Sequence, residues 1–192
     1  MERLILGLVV FFGGHSISLL ALGWRNRVAE RLGPRAWQLV YSIIALLGFY
    51  LLVAGYGAAR AAAAVLYVAP TWLRYVAALL MLPAFTLALA SVLPGRIRAL
   101  SRHPLLVSTL LWAVAHLLTN GSVADLLLFG TFLFWAVAVL ISLERRPARR
   151  KLALPESVAN DAIAVVGGLA LYAVFILWLH ARWFGVSPLG VA

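Results

Sequence analysis

Cysteine is absent from this chain of 192 residues, and acidic residues are scarce, since Asp and Glu together number only six. The absence of cysteine excludes disulfides, thiolate catalysis, iron–sulfur clusters and every metal site with a cysteine ligand. A bound metal must therefore use histidine, carboxylate or methionine. The scarcity of acids argues against an ion-coupled transporter, because Asp125 and Asp161 fall at predicted helix ends and not inside an apolar segment.

Charge of either sign is also rare, because charged residues make up 11% of the chain and apolar residues 65%. The mean hydropathy of +1.02 is that of an integral membrane protein, with the lipid bilayer as its main partner. The net charge of +10 does not indicate nucleic-acid binding. The basic residues stand in short clusters between apolar runs, where membrane orientation explains them better.

The apolar runs predict an all-α bundle of six transmembrane helices in one domain spanning residues 1–192, because about 20 apolar residues cross a bilayer. The stretch from Ala61 to Pro70 is too short to cross, so it either extends the second helix or lies along the surface. Asn120-Gly121 predicts a tight turn between the fourth and fifth helices. The predicted segments are Leu4 to Gly23, Trp37 to Tyr56, Trp72 to Leu93, Pro104 to Thr119, Ser122 to Ser142 and Asp161 to Ala181.

The distribution of cations predicts the orientation of the chain in the membrane. Loops one, three and five carry most of the arginines and are therefore expected in the cytoplasm, with both termini on the non-cytoplasmic side. The cations of these loops are Arg25, Arg27, Arg31, Arg35, Arg96, Arg98, Arg102, Arg145, Arg146, Arg149, Arg150 and Lys151.

Two histidines lie inside predicted spans, His15 in the first and His116 in the fourth. Polar groups at such depth face the bundle interior and mark candidate functional sites, although a buried imidazole that only bonds a neighbouring helix is a common alternative. Gly13 and Gly14 beside His15 allow a second helix or a flat ligand to approach the backbone closely. On the fourth helix one predicted inward face carries Ser108, Trp112, His116 and Asn120 at four-residue spacing.

The segment from Ser101 to Gly121, SRHPLLVSTLLWAVAHLLTNG, resembles the signature of the NnrU family, together with His15-Ser16 and the run LLLFGTFLFWA from Leu126 to Ala136. These small bacterial membrane proteins are named for a link to nitrite and nitric oxide reductase expression, and they are similar to the plastid 15-cis-zeta-carotene isomerase. The resemblance covers nearly the whole chain. It implies a haem b whose iron is held by His15 and His116.

The resemblance also bears on the residues around these ligands. Plant isomerases are described with a cysteine close to the second ligand, but the residue three before His116 is Ala113, so a thiolate ligand is excluded here. His15 is predicted nearer the cytoplasmic end of its helix and His116 nearer the outer end, at about 1.5 Å per residue. This makes His180, near the outer end of the last helix, a competing partner for His116. The alternative for His180 is an interfacial residue.

Arg102-His103-Pro104 supports two interpretations. Pro104 is favoured at the first position of a helix and Ser101 offers a capping oxygen, so the motif fits a simple helix start. In the functional interpretation Arg102 and His103 hold haem propionates or a substrate headgroup through charge-assisted bonds.

Three functions remain open at the level of the sequence. Haem iron supports redox or isomerase-like chemistry on a hydrophobic polyene. The same ligands suit a sensor, or an electron carrier for a redox partner in nitrogen-oxide metabolism. The alternative is a membrane methyltransferase of the isoprenylcysteine or phospholipid type, because those enzymes also place Arg-His-Pro before an apolar helix. Its downstream Glu-Arg pattern is matched here only by Glu144-Arg145.

Overall fold

The computed structural model describes residues 1–145 and 157–190, which are helical apart from short connections and form no β-strand. The predicted all-α class is thereby confirmed. One π-helical turn, Phe175–Leu179, continues directly from the helix before it into the helix after it. The α-helices are α1 Glu2–Leu20, α2 Leu22–Leu32, α3 Pro34–Ala62, α4 Leu73–Ala90, α5 Arg96–Ser101, α6 Pro104–Thr119, α7 Val123–Glu144, α8 Val158–Val174 and α9 His180–Phe184.

Five helical segments of the described chain are long and apolar enough to cross a membrane. They are α1, α3, α4, α7 and the continuous stretch Val158–Phe184. Helix α6 is apolar but has only 16 residues. The protein is therefore a helical membrane protein with several membrane-spanning segments.

The exposure of side chains supports a lipid environment. Large apolar side chains such as Leu79, Phe134 and Leu177 are 65%, 76% and 71% exposed. The buried core consists largely of small residues, and among the described residues Leu4 is the largest side chain that is fully buried. A water-soluble chain does not expose apolar surface on this scale, whereas lipid tails cover such surface at no cost.

The chain divides into two compact units. The first comprises Met1–Leu66 and Ser122–Thr131, and the second comprises Tyr67–Gly121 together with the described part of Phe132–Ala192. Helix α7 contributes its beginning to the first unit and its remainder to the second.

The first unit is built on a hairpin of α1 and α3. A Cβ atom on Gly7, Gly48 or Gly55 would lie 2.5–2.7 Å from a backbone nitrogen of the opposite helix, so only glycine allows this close approach. Gly55 meets Leu4 and Gly48 meets Phe11, which shows that the helices run antiparallel. Small residues at such positions are typical of packed membrane helices. Of the two glycines beside His15, Gly14 meets the Ile44 side chain of α3 at 3.2 Å from its Cβ position, whereas nothing lies within 4 Å of the Cβ position of Gly13.

The second unit packs α6 and α8 against α4, with the short α5 contacting all three helices. Ser108 on α6 is buried and donates a hydrogen bond to the Ala84 carbonyl at 2.8 Å. On α8, Gly168 lies against the Thr86 backbone, where a Cβ would approach to 2.7 Å. Helix α4 is therefore the centre of this unit.

Several boundaries differ from those predicted. Helix α3 continues to Ala62, after which Val65 forms an isolated antiparallel bridge with Ser122 and Tyr67 N donates to the Gly121 carbonyl. The first and third loops contain the helices α2 and α5. Hydropathy did not predict these two helices, because both are rich in charged residues. Of the predicted cytoplasmic cations, Arg146, Arg149, Arg150 and Lys151 lie outside the described residues.

Candidate functional site

His15 is held by its own helix. Its Nδ1 lies 2.7 Å from the Phe11 carbonyl one turn earlier, and its ring stacks on the Phe11 ring at a centroid distance of 4.1 Å. The Tyr41 ring of α3 lies 5.4 Å away. A carbonyl oxygen only accepts, so Nδ1 carries the proton and the lone pair of the neutral imidazole is on Nε2.

His116 repeats this arrangement on α6. Its Nδ1 donates to the Trp112 carbonyl at 2.8 Å, and the two rings lie 4.9 Å apart. The Trp112 ring also meets the Phe132 ring of α7 edge to face, at a centroid distance of 5.1 Å. The imidazole is therefore fixed in one tautomer with its lone pair on Nε2, beside an aromatic wall.

The predicted inward face of α6 is only partly enclosed. Ser108 is buried, whereas Trp112, His116 and Asn120 are half-buried. The Asn120 side chain donates to the His116 carbonyl at 2.9 Å, and the Tyr67 hydroxyl contacts the Leu117 and Asn120 carbonyls. The His116 carbonyl also accepts from the Asn120 amide, so the Tyr67 hydroxyl is the group that serves oxygens at the end of the helix, where intrahelical partners run out.

His180 lies beside His116. The two ring centroids are 6.4 Å apart and the ring planes differ by 30°. His180 Nδ1 donates to the Val186 carbonyl at 2.7 Å, after Gly185 in a left-handed conformation (φ 70°) has ended α9. The π-helical turn Phe175–Leu179 directly precedes His180. Turns of this kind are rare and occur frequently at functional sites.

The Arg102-His103-Pro104 motif forms the corner between α5 and α6. Pro104 begins α6 as predicted, but Ser101 does not cap it, because the Ser101 hydroxyl donates to the Ile97 carbonyl. Arg102 has φ 51° and ψ −45°, and the His103 amide donates to the Ser101 carbonyl across it. This three-residue turn with positive φ is rare and strained for a residue with a side chain.

Asp161 helps to position the Arg102-His103 corner, although the sequence indicated only that it lies at a helix end. From the first turn of α8 its carboxylate accepts hydrogen bonds from the Arg96 and Ile97 amides, at 2.9 and 3.0 Å. A Cβ on Gly95 would lie 2.3 Å from its Oδ1. Asp161 therefore fixes the start of α5, which leads into the Arg102-His103 corner.

Asp125 forms a second polar cluster, in the first unit. It is 3% exposed and accepts hydrogen bonds from the Tyr56 hydroxyl at 2.6 Å and from the Ser122 amide and hydroxyl at 2.8 and 2.7 Å. Arg60 Nε lies 4.0 Å from its Oδ1. The spacing Ser122-Val-Ala-Asp125 is a capping-box signature, so the sequence contained this signal.

The histidines determine which cofactors the chain can hold. Among residues 1–145 and 157–190 no group of three or more His, Cys, Asp or Glu side chains is arranged to hold a metal ion. Imidazoles fixed with the lone pair on Nε2 suit a metal that takes its remaining ligands from elsewhere. A porphyrin iron is such a metal, because the macrocycle supplies four nitrogens and the protein supplies axial ligands.

The NnrU protein family model matches residues 3–188, nearly the whole chain. The chain belongs to the NnrU family. No curated protein and no solved structure matches it. The NnrU match contains all four histidines, and with them the strained corner at Arg102. Trp112, His116, Arg102 and His103 fall in the second compact unit of this NnrU chain, and His15 falls in the first.

Proposed function

We propose that this NnrU-family protein binds haem b inside the membrane through two histidines, His15 and His116. The observation that carries the proposal is that the two histidines have the same local geometry. Each donates Nδ1–H to the carbonyl of an aromatic residue one turn earlier, Phe11 or Trp112, and the ring of that aromatic residue lies beside the imidazole. Hydrogen bonding of one nitrogen is the usual way in which a protein orients a metal-binding imidazole.

The remaining candidate residues would contact the porphyrin ring and its propionates. Trp112 offers a flat apolar surface beside His116, and the exposed Arg102 with His103 offers hydrogen-bond donors for propionates. The iron would supply redox chemistry or polyene isomerisation, and the protein would supply orientation and exclusion of water. A role in nitrite or nitric oxide metabolism uses the same ligands.

His180 would compete with His15 as the partner of His116 in holding the iron. Its tautomer is fixed in the same way, and its ring lies 6.4 Å from that of His116. The family resemblance favours His15 over His180. Mutation of each histidine distinguishes the pair His15 and His116 from the pair His180 and His116.

The test is haem retention and spin state in the detergent-purified protein and its alanine variants. We expect a low-spin haem b spectrum that His15→Ala or His116→Ala abolishes or converts to high spin. His103→Ala should leave the iron ligation intact and serves as the control. A high-spin conversion in His180→Ala but not in His15→Ala would reassign the second ligand. Colourless protein that takes up no added haem but binds a methyl donor would replace the proposal with a methyltransferase.

We also propose that α6 is a sixth membrane segment and that loops one and three face the cytoplasm of a bacterial inner membrane. Helix α6 spans about 24 Å at about 1.5 Å per residue, somewhat less than the bilayer core of about 30 Å. Short segments are accommodated by local thinning of the bilayer. The arginines of α2 and α5 support this orientation.

A further inference from the structure

A cleft of about 620 Å³ lies within the first unit, between α1, α2 and α3. This volume falls in the range of small-molecule sites, about 300–1,000 Å³. Polar and apolar side chains both line it. The residues around it are Gly14, Ile17, Ser18, Arg25, Asn26, Ala29, Glu30, Pro34, Trp37, Gln38 and Tyr41.

Helix α2 turns a polar face toward this cleft. Arg25, Asn26 and Glu30 line the cleft, and their spacing places them along one side of the helix. Leu22 and Trp24 elsewhere on α2 are 38% and 48% exposed. A helix at a membrane surface turns its apolar side to the lipid tails and its polar side away from them. The polar side of α2 lines the cleft, so the cleft offers charged and amide groups to a ligand with polar groups.

The charges of the cleft have opposite signs. The Arg25 guanidinium lies 5.7 Å from the Trp37 ring centroid and donates to the Asn26 side chain at 3.1 Å. A guanidinium has five N–H donors, so this bond leaves it able to bind an anion at the same time. In the described part of the chain neither Arg25 nor Glu30 forms an ion pair. A ligand with one positive and one negative group would complement both side chains.

The cleft lies at a membrane boundary. Helix α2 joins the end of α1 at Leu20 to the start of α3 at Gly33-Pro34, and both of those helices are long enough to span a bilayer. Leu20 beside it is 82% exposed, as expected for a side chain that meets lipid tails. Phospholipid headgroups occupy this level of the bilayer.

From these observations we propose that the cleft binds the headgroup of a zwitterionic phospholipid with a primary ammonium, such as phosphatidylethanolamine. Arg25 holds the phosphate, because guanidinium groups pair with phosphate through charge-assisted hydrogen bonds. Glu30 accepts from the ammonium, and the amide of Gln38 offers a further acceptor. Glu30 disfavours an anionic headgroup, which would bring a second negative charge. The proposal does not rest on haem binding, although Tyr41 both lines the cleft and lies 5.4 Å from the His15 ring.

The experiment is native mass spectrometry of the full-length protein in detergent, titrated with phosphatidylethanolamine or phosphatidylglycerol. We expect phosphatidylethanolamine to bind more tightly, and Arg25→Ala to weaken its binding about tenfold. Arg25→Lys keeps the charge and should retain most of the binding. Arg27→Ala is the matched control, because Arg27 is exposed on the same helix and does not line the cleft. Glu30→Gln should abolish the preference for phosphatidylethanolamine over phosphatidylglycerol.

Three results would overturn the proposal. The first is equal lipid binding by Arg25→Ala and Arg27→Ala when both variants keep the thermal stability of the parent. If Arg25→Ala proves unstable, an unchanged lipid preference in a stable Glu30→Gln variant is the second. The third is binding of free phosphoethanolamine as tightly as the lipid, which would assign the cleft to a soluble ligand.

Discussion

At the residue scale, three glycines determine how closely α1 and α3 approach. Gly48 illustrates the constraint, because an added Cβ would lie 2.7–2.9 Å from three atoms of Phe11, two of them in the backbone. The backbone of a packed helix cannot move aside as the end of a flexible side chain can. The two helices must therefore separate if Gly48 is enlarged.

We expect Gly48→Ala to lower the stability of the protein by about 1–3 kcal/mol, the usual cost of overpacking. The measurement is the thermal unfolding midpoint in detergent. Gly57→Ala is the matched control on the same helix, since nothing lies within 4 Å of its Cβ position. The control should be neutral or stabilising, because alanine favours helix over glycine. Equal midpoints for the two variants would refute the close approach.

These contacts also show where the sequence was informative about single residues. Small residues near His15 indicated a close approach in α1, and Gly14 does meet the Ile44 side chain, but the backbones approach most closely at Gly7 and at the α3 glycines. Small residues recur throughout both helices, and their spacing alone does not give the register between them. Histidine tautomers were likewise beyond the sequence, because they depend on backbone carbonyls one turn away.

At the element scale, α5 depends on a carboxylate from another helix. It has six residues, too few for an isolated helix to be stable in water. Asp161 accepts from two of its first amides and so replaces the intrahelical bonds missing at that end. The turn at Arg102 comes directly after α5. Asp161, which holds the start of α5, therefore also fixes the position of the Arg102-His103-Pro104 corner.

We expect Asp161→Ala to cost about 0.5–2 kcal/mol, as the loss of a helix cap does. Hydrogen exchange of the Arg96–Ser101 amides should accelerate, while the amides of α2 in the first unit should not change. Asp161→Asn keeps one acceptor oxygen and should give an intermediate rate. Unchanged protection of α5 in the alanine variant would show that packing alone holds this helix.

Continuous apolar runs predicted the long helices, because a helix that faces lipid along its length needs such a run. It missed α2 and α5, since their arginines make them resemble loops. The π-helical turn Phe175–Leu179 was also invisible, because its sequence, FILWL, is equally compatible with an α-helix. The closeness of His116 and His180 was indicated only by their similar predicted depth in the membrane, near the outer ends of their helices. In the structure their ring centroids are 6.4 Å apart.

At the scale of the whole molecule, the absence of cysteine makes the topology directly measurable. Single cysteines at Arg27 in loop one and at Thr71 before α4 should lie on opposite faces of the membrane if α3 spans it. In spheroplasts, a membrane-impermeant maleimide should label Thr71→Cys and spare Arg27→Cys until the cells are lysed. The reverse labelling would invert the proposed orientation, and equal labelling of both sites would remove α3 from the membrane.

The central claim concerns the iron that two imidazoles would hold. Its most direct measurement is low-temperature electron paramagnetic resonance of the ferric, haem-loaded, full-length protein. Ligation by two histidines predicts a low-spin signal, which His116→Ala should convert to high spin. A high-spin signal in the parent protein that none of the histidine substitutions alters would contradict it.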